Sequence, residues 1–364
     1  MKTKYENTEQ TEITEYTERL FWLLISVCSV ISVCSVFSLT VSAVEYTRYE
    51  ESRYLMGCTY TIVAYGAYGA YGDDALLVRE YVREAFDEID RIDRLMSHYK
   101  PDSPLSRLNR TAALQAVTVE PELFDFIAEC LRYSRLSDGA FDITVGPLMK
   151  AWGFFRGEGR MPSAAELQQA RANLGYQYIS LNERAKTIRF QRPGIELDLG
   201  GIAKGYAVDR AVAILKQHGV RDALVNAGGS TIYGLGSDPT RGHGKGWAVQ
   251  VRDPLNESKT ALTVSLKDRA LSVSGSYEKF FELNGQRYAH VMNPRTGLPV
   301  QGVLSVAVVT ATGTAGDALD NVFYVAGVAQ SRRWQSRFKA QAVWFFLPDE
   351  RRGWRLVRGT PRAK

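Results

Sequence analysis

Asp317, Asp320 and Asn321 place three oxygen-bearing side chains on a segment whose spacing predicts a helix continuing through Ala326. On a helix, positions i and i+4 share a face and i+3 lies beside them, so these donors suit a hard cation such as Mg2+ that takes oxygen ligands and keeps waters. A second reading makes Asp317 a cap at the N-terminus of its own helix, which the helix dipole also favours. Upstream, Gly200 and Gly201 precede Lys204 where another helix is expected to open. Backbone N–H groups and a lysine so placed suit a diphosphate, although Gly-Gly before a helix also serves as a plain tight connection. Neither Gly-x-x-x-x-Gly-Lys-Ser/Thr nor Gly-x-Gly-x-x-Gly occurs there. His290, one of four histidines, stands before Asn293-Pro-Arg-Thr-Gly297, a turn sequence able to lift an imidazole to a cleft edge. There it could take or orient the proton of a hydroxyl.

The stretch from Ser137 to Phe154 follows neither the helix nor the strand period. Gly139 and Gly146 loosen the backbone, Pro147 fixes it, and Phe141, Trp152 and Phe154 offer apolar faces beside the acceptor Asp142. Such a segment reads as a wall for a flat ligand, or as a Gly/Pro-rich turn capping a core.

Taken in order, Ser137–Phe154, Glu196–Asp209, Leu224–Ser230, Tyr288–Gly297 and Ala315–Asn321, with Met56-Gly57 and Ser97–Ser103 ahead of them, resemble the FAD:protein FMN transferase family, also called ApbE, over nearly all of residues 53–350. The resemblance implies two closely joined α/β lobes in an α+β protein, with FAD bound as substrate in the cleft between them. It implies that Met56, Tyr99, Ala140, Phe141, Asp142, Asp198, Lys204 and Tyr288 line the FAD site. The main-chain carbonyl of Gly201 would join Asp317, Asp320 and Asn321 around Mg2+, and His290 would be essential for transfer. The implied reaction moves FMN from FAD to a threonine or serine hydroxyl of an acceptor flavoprotein and releases AMP. Two alternatives stay open: hydrolysis of FAD to FMN and AMP, and a membrane-tethered FAD-binding protein without catalysis. Three positions depart from the resembled pattern: Asn321 replaces a usual threonine, Asn293 a common aspartate, and Ser230 a frequent acid. The first bears on metal binding and the others on adenosine recognition.

The elements that must position these residues follow from periodicity. Leu77, Val78, Tyr81, Val82, Ala85, Phe86, Ile89, Ile92 and Leu95 mark a helix from Asp74 to Leu95. Further helices are expected from Glu122 to Arg135, after the capping box Ser163-Ala-Ala-Glu166, and from Ala203 to Lys216. Strand-like runs occupy 178–181, 187–190, 223–226, 247–252, 261–266, 304–310 and 342–347, which with the helices indicates an α+β protein. His98 is less clearly tied to chemistry, and His218 and His243 read as surface residues.

The chain has 364 residues, 45% of them hydrophobic, and a formal charge of +5, enough for a large core and too little clustered charge for nucleic-acid binding. Cys28, Cys34, Cys58 and Cys130 include no Cys-x-x-Cys pair, which argues against zinc. Residues 1–19 form a polar leader, and 20–44 carry no charge over a length sufficient to span a bilayer as a helix. That segment reads as a signal peptide or an anchor, with Val41-Ser-Ala43 as a cleavage-like site, leaving 45–364 as the catalytic domain. Cys28 and Cys34 both follow valine, which argues against lipidation. Location at the bacterial inner membrane or periplasm follows, with an extracytoplasmic or membrane respiratory flavoprotein as expected acceptor. Short tandem copies (Ile25–Val30 repeated at Ile31–Val36, Ala-Tyr-Gly three times from Ala64, Ile-Asp-Arg twice from Ile89) are too few for a solenoid. The tyrosine-glycine run reads as a hairpin loop.

Overall fold

Eight strands lie side by side in the order in which the chain visits them: β1 (Tyr46–Leu55), β2 (Cys58–Ala67), β3 (Asp222–Ala227), β4 (Thr231–Leu235), β5 (Arg269–Gly275), β6 (Ser305–Thr310), β7 (Ala342–Asp349) and β8 (Gly353–Arg358). Every neighbouring pair is antiparallel. This computed structural model describes residues 46–67, 74–155, 157–242 and 244–359, and these fall within one compact unit beginning at Tyr46. Strand β2 shows why the sheet is covered on both sides. Tyr60, Ile62 and Ala64 enter one apolar cluster and Val63 and Tyr65 another, as alternation along a strand requires.

Helices α1 (Asp74–Met96), α6 (Ala203–Gln217) and α7 (Gly313–Phe338) pack on the first face. A two-stranded ribbon of Trp247–Asp253 and Asn256–Leu266 covers the second, with Trp247, Val249, Val264 and Leu266 buried against Ile232 and Leu271. Between β2 and β3 the chain also builds α2 (Pro104–Thr111), α3 (Pro121–Leu136), α4 (Gly146–Ala151), α5 (Ala164–Ala172) and a three-stranded sheet of Val117–Thr118, Ile179–Asn182 and Thr187–Phe190. The main core runs through both bodies, from Phe86 and Val208 to Phe124 and Phe190, so they are closely joined in an α+β fold.

The α1 stripe is buried as periodicity requires, except that Leu77 is exposed and Tyr81 is only partly covered. The capping box forms, with Ser163 Oγ accepting from Glu166 N–H and Glu166 accepting from Ser163 N–H. The first Ala-Tyr-Gly unit belongs to β2 and not to a loop; its later copies fall at or beyond the end of the described strand. The apolar segment 20–44, the leader and His243 lie outside the described residues. Among the described residues no helix is long and apolar enough to cross a membrane. Cys58 and Cys130 are unpaired thiols, Cys130 fully buried. His218 is exposed as expected, and there its ring stacks on Tyr81 at 4.1 Å and meets Glu84 at 2.7 Å.

Candidate active site

The N-termini of α6 and α7 cross at a distance only glycine permits. A Cβ on Gly205 would stand 2.2 Å from the carbonyl oxygen of Gly313 and 2.7 Å from the Asp317 side chain. Each helix then caps the other. Asp209, on α6, accepts from the N–H groups of Gly313 at 2.6 Å and Thr314 at 2.8 Å and from the Thr314 hydroxyl at 2.6 Å. Asp317, on α7, accepts from the Gly205 N–H at 2.9 Å. Helix N-termini leave unpaired donors and a positive dipole end, so two carboxylates at the crossing answer both needs. The cap of α7 itself is Thr312, whose hydroxyl accepts from Ala315 N–H. Asp317 therefore does not cap its own helix; it lies one turn in and serves α6.

Lys204 stands in the first turn of α6, and its Nζ donates to the Gly200 carbonyl at 3.2 Å. Burial pulls its pKa down, but Asp317, Cys58 and Asp320 outweigh that and hold it above the ordinary lysine value. Burial pushes Asp317 and Asp320 up, Asp320 further because Asp317 adds like charge, while Lys204 opposes both shifts. Asp320 is fully buried, and its Oδ2 has no hydrogen-bond partner. The Asn321 amide nitrogen lies 2.9 Å from Asp320 Oδ1, 2.9 Å from the Asp317 carbonyl and 3.3 Å from the Gly201 carbonyl. Among the described residues no three His, Cys, Asp or Glu side chains are grouped to hold a metal. Any cation here would need the Gly201 carbonyl and the Asn321 amide oxygen beside the two acids, a hard-oxygen set that matches Mg2+ in donor chemistry.

Asp198 reaches the same neighbourhood through a clamp: the Asn109 side chain bonds both the N–H and the carbonyl of Leu197, at 2.8 and 2.9 Å. Its Oδ1 accepts from Gly200 N–H at 2.8 Å, and its Oδ2 is 3.4 Å from His98 Nε2, which makes no hydrogen bond. His98 packs on Tyr99 at 4.0 Å, and Tyr99 stacks on Phe155 at 5.0 Å and 11°. Tyr99 is 37% exposed, which gives the site an accessible ring.

His290 follows the hairpin Phe280–Leu283/Gln286–Ala289. Its Nδ1 is 3.2 Å from the Lys279 carbonyl, which can only accept, so Nδ1 carries the proton and Nε2 keeps a lone pair. Burial, then the charge of Lys204, lowers its pKa to about 4. Two residues earlier Tyr288 stacks on Phe281 at 5.1 Å and on Trp152 at 5.8 Å, fixing the hairpin to the end of α4.

Met56 occupies the tight β1–β2 turn at φ 50°, with its sulfur accepting from the Tyr60 hydroxyl at 3.3 Å. Ala140 and Phe141 are buried, Phe141 next to Gly201. Asp142 turns away from the Lys204 cluster: Oδ1 accepts from the Thr144 N–H and hydroxyl, and Oδ2 from the Tyr176 N–H. It helps line an open groove of about 870 Å3 with Gly139, Arg171, Tyr176 and Arg295, a groove whose lining includes none of Lys204, Asp317 or Asp320. Trp152 and Phe154 are 1% and 2% exposed, so they pack a core and do not wall a ligand.

The family model for ApbE matches residues 56–345. The chain is a member of the ApbE family. A curated relative from Salmonella typhimurium, named FAD:protein FMN transferase, is 33% identical over 267 residues, covering 72% of this chain and 75% of that protein. Its Escherichia coli K12 counterpart of the same name is 32% identical over the same coverage. Among solved structures, an ApbE protein from Thermotoga maritima superposes with a TM-score of 0.75 at 28% identity, over 86% of this chain and 97% of that one. The flavin transferase ApbE from Vibrio cholerae gives 0.74 at 26% identity, again over 86% and 97%. Motif reading missed four residues of this ApbE-family site: Asn109, Asp209, Glu278 and Cys58. Glu278 and Cys58 each act electrostatically on Lys204. Only Asp209 sat within a recognised motif.

Proposed function

We propose that this chain is an FAD:protein FMN transferase that moves FMN from FAD to a threonine or serine hydroxyl of an acceptor flavoprotein and releases AMP. The observation that carries the reading is the crossing of α6 and α7, which sets Lys204 beside the buried acids Asp317 and Asp320, with His290 in electrostatic range of Lys204. The names of the relatives support the substrate and the reaction class. In the proposed step the acceptor oxygen attacks the FMN phosphorus, the bond to the AMP phosphate breaks, AMP leaves with the electron pair, and the hydroxyl proton passes to His290 Nε2. Lys204 offsets the charge that develops on the diphosphate. An anionic diphosphate beside His290 raises its pKa from the low value set by burial, bringing it toward a useful base. Tyr99 and Met56 present apolar surface to the flavin or adenine ring. The oxygens of Gly201, Asp317, Asp320 and a turned Asn321 would hold Mg2+, which when bound supplies positive charge to the diphosphate and the leaving AMP. The charge-free segment 20–44 supports placing the reaction, and the acceptor, on the extracytoplasmic side of the bacterial inner membrane.

The test incubates the purified protein with FAD, Mg2+ and an acceptor flavoprotein domain, following AMP release and the acceptor's intact mass. An acceptor heavier by one FMN per AMP released is the expected result. FMN and AMP with every candidate acceptor unmodified would show a pyrophosphatase, and intact bound FAD would show a binding protein.

A further inference from the structure

The amide nitrogen of Asn321 is surrounded by oxygen acceptors only: Asp320 Oδ1, the Asp317 carbonyl and the Gly201 carbonyl. An amide oxygen turned to the same place would face three acceptors without a donor, so the N–H orientation is dictated by its surroundings. Two hydrogens serve three acceptors, and Asp320, 0% exposed, keeps an Oδ2 without a well-formed hydrogen bond, with the Ser274 side chain and Lys204 favouring its charge. Lys204 acts on Asp320 through its charge, but its Nζ bonds the Gly200 carbonyl and makes no hydrogen bond to Asp320 Oδ2. The fit is close: a Cβ on Gly201 would stand 3.3 Å from the Asn321 nitrogen. A divalent cation among these oxygens would complement the orphaned carboxylate oxygen, and it would compete with the amide for the carbonyl and Asp320.

We propose that the Asn321 amide is a built-in occupant of the cation position, keeping the metal-free site intact, so that a divalent cation enters only by breaking these hydrogen bonds and turning the amide to present Oδ1. This rests on the metal-assisted reading of the site. It makes Asn321 a positioning residue that sets metal affinity and leaves the fold independent of metal.

Mn2+ alone, with its free concentration read by electron paramagnetic resonance, tests this on wild type, Asn321→Thr and Asn321→Asp, together with melting temperatures in EDTA and in Mn2+. Both variants lose the amide donors and keep an oxygen, so each should bind Mn2+ on the order of tenfold tighter than wild type. Wild type should melt at one temperature in EDTA and at low Mn2+, whereas both variants should melt lower in EDTA and recover with Mn2+. Equal Mn2+ affinity in all three, or a wild type that loses stability in EDTA as the variants do, would overturn the proposal. FMN transfer is scored separately: its absence in all three with the affinity order intact would reject the functional reading and leave the role of Asn321 standing.

Discussion

His290 joins two observations that together define its chemistry: a carbonyl acceptor fixes Nδ1 as the N–H, and burial with Lys204 nearby lowers its pKa from 6.5 to about 4. Replacing it by alanine should leave FAD bound and reduce FMN transfer by about a hundredfold or more, the usual worth of a positioned base; unchanged turnover would reject the assignment. The shift also bears on stability. Because the folded pKa is depressed, the unfolded chain takes up the proton first as pH falls, so stability present above about 6.5 is lost between 6.5 and about 4. His290→Gln should gain on wild type in melting temperature as pH drops through that window, while the two keep a constant difference above it. Much at this scale was readable from local sequence. His290, Lys204, Asp320 and Asn321 announced themselves by type and spacing, whereas His98 and its acid partner Asp198 met only through folding, and Met56 in a left-handed turn gives no hairpin signal of the Asn-Gly kind.

The mutual capping of α6 and α7 makes the two helices one unit. Asp209 holds three donors at the start of α7, and its partners Gly313 and Thr314 lie more than a hundred positions away in the chain. Asp209→Ala should therefore cost roughly 2 kcal/mol, at the high end for a lost cap. It should lower the melting temperature by about 4 °C, speed hydrogen exchange at the Gly313 and Thr314 amides, and weaken FAD binding without removing any group that touches FAD. Unaltered exchange at those amides would show that α7 keeps its start without Asp209. Helices α3 and α6 were legible because their apolar periodicity is regular, and the capping box of α5 because it is local. Strand β4 was not: it is buried at all five positions, so alternation is missing, and Gly234 within it is required by the close approach of Trp247 and Leu266.

At the scale of the whole molecule the α+β class was legible from composition and pattern, but the sheet order was not, since strand neighbours are set by packing across long insertions. Strand β2 finds its second neighbour only when β3 arrives, pairing Tyr60 with Ala227 after α1 to α6 have been made. Contacts so distant in sequence fold slowly and leave apolar strands uncovered meanwhile. Refolding from denaturant should give a yield that falls as protein concentration rises, measured by recovered monomer; a yield independent of concentration would contradict this. The finished sheet is guarded at both margins, where β1 carries Arg48, Glu50 and Arg53 and β8 carries Arg355 and Arg358. No such guard protects β2 on a nascent chain that has emerged only as far as α5, so this fold meets its greatest aggregation hazard during synthesis and not at its completed surface.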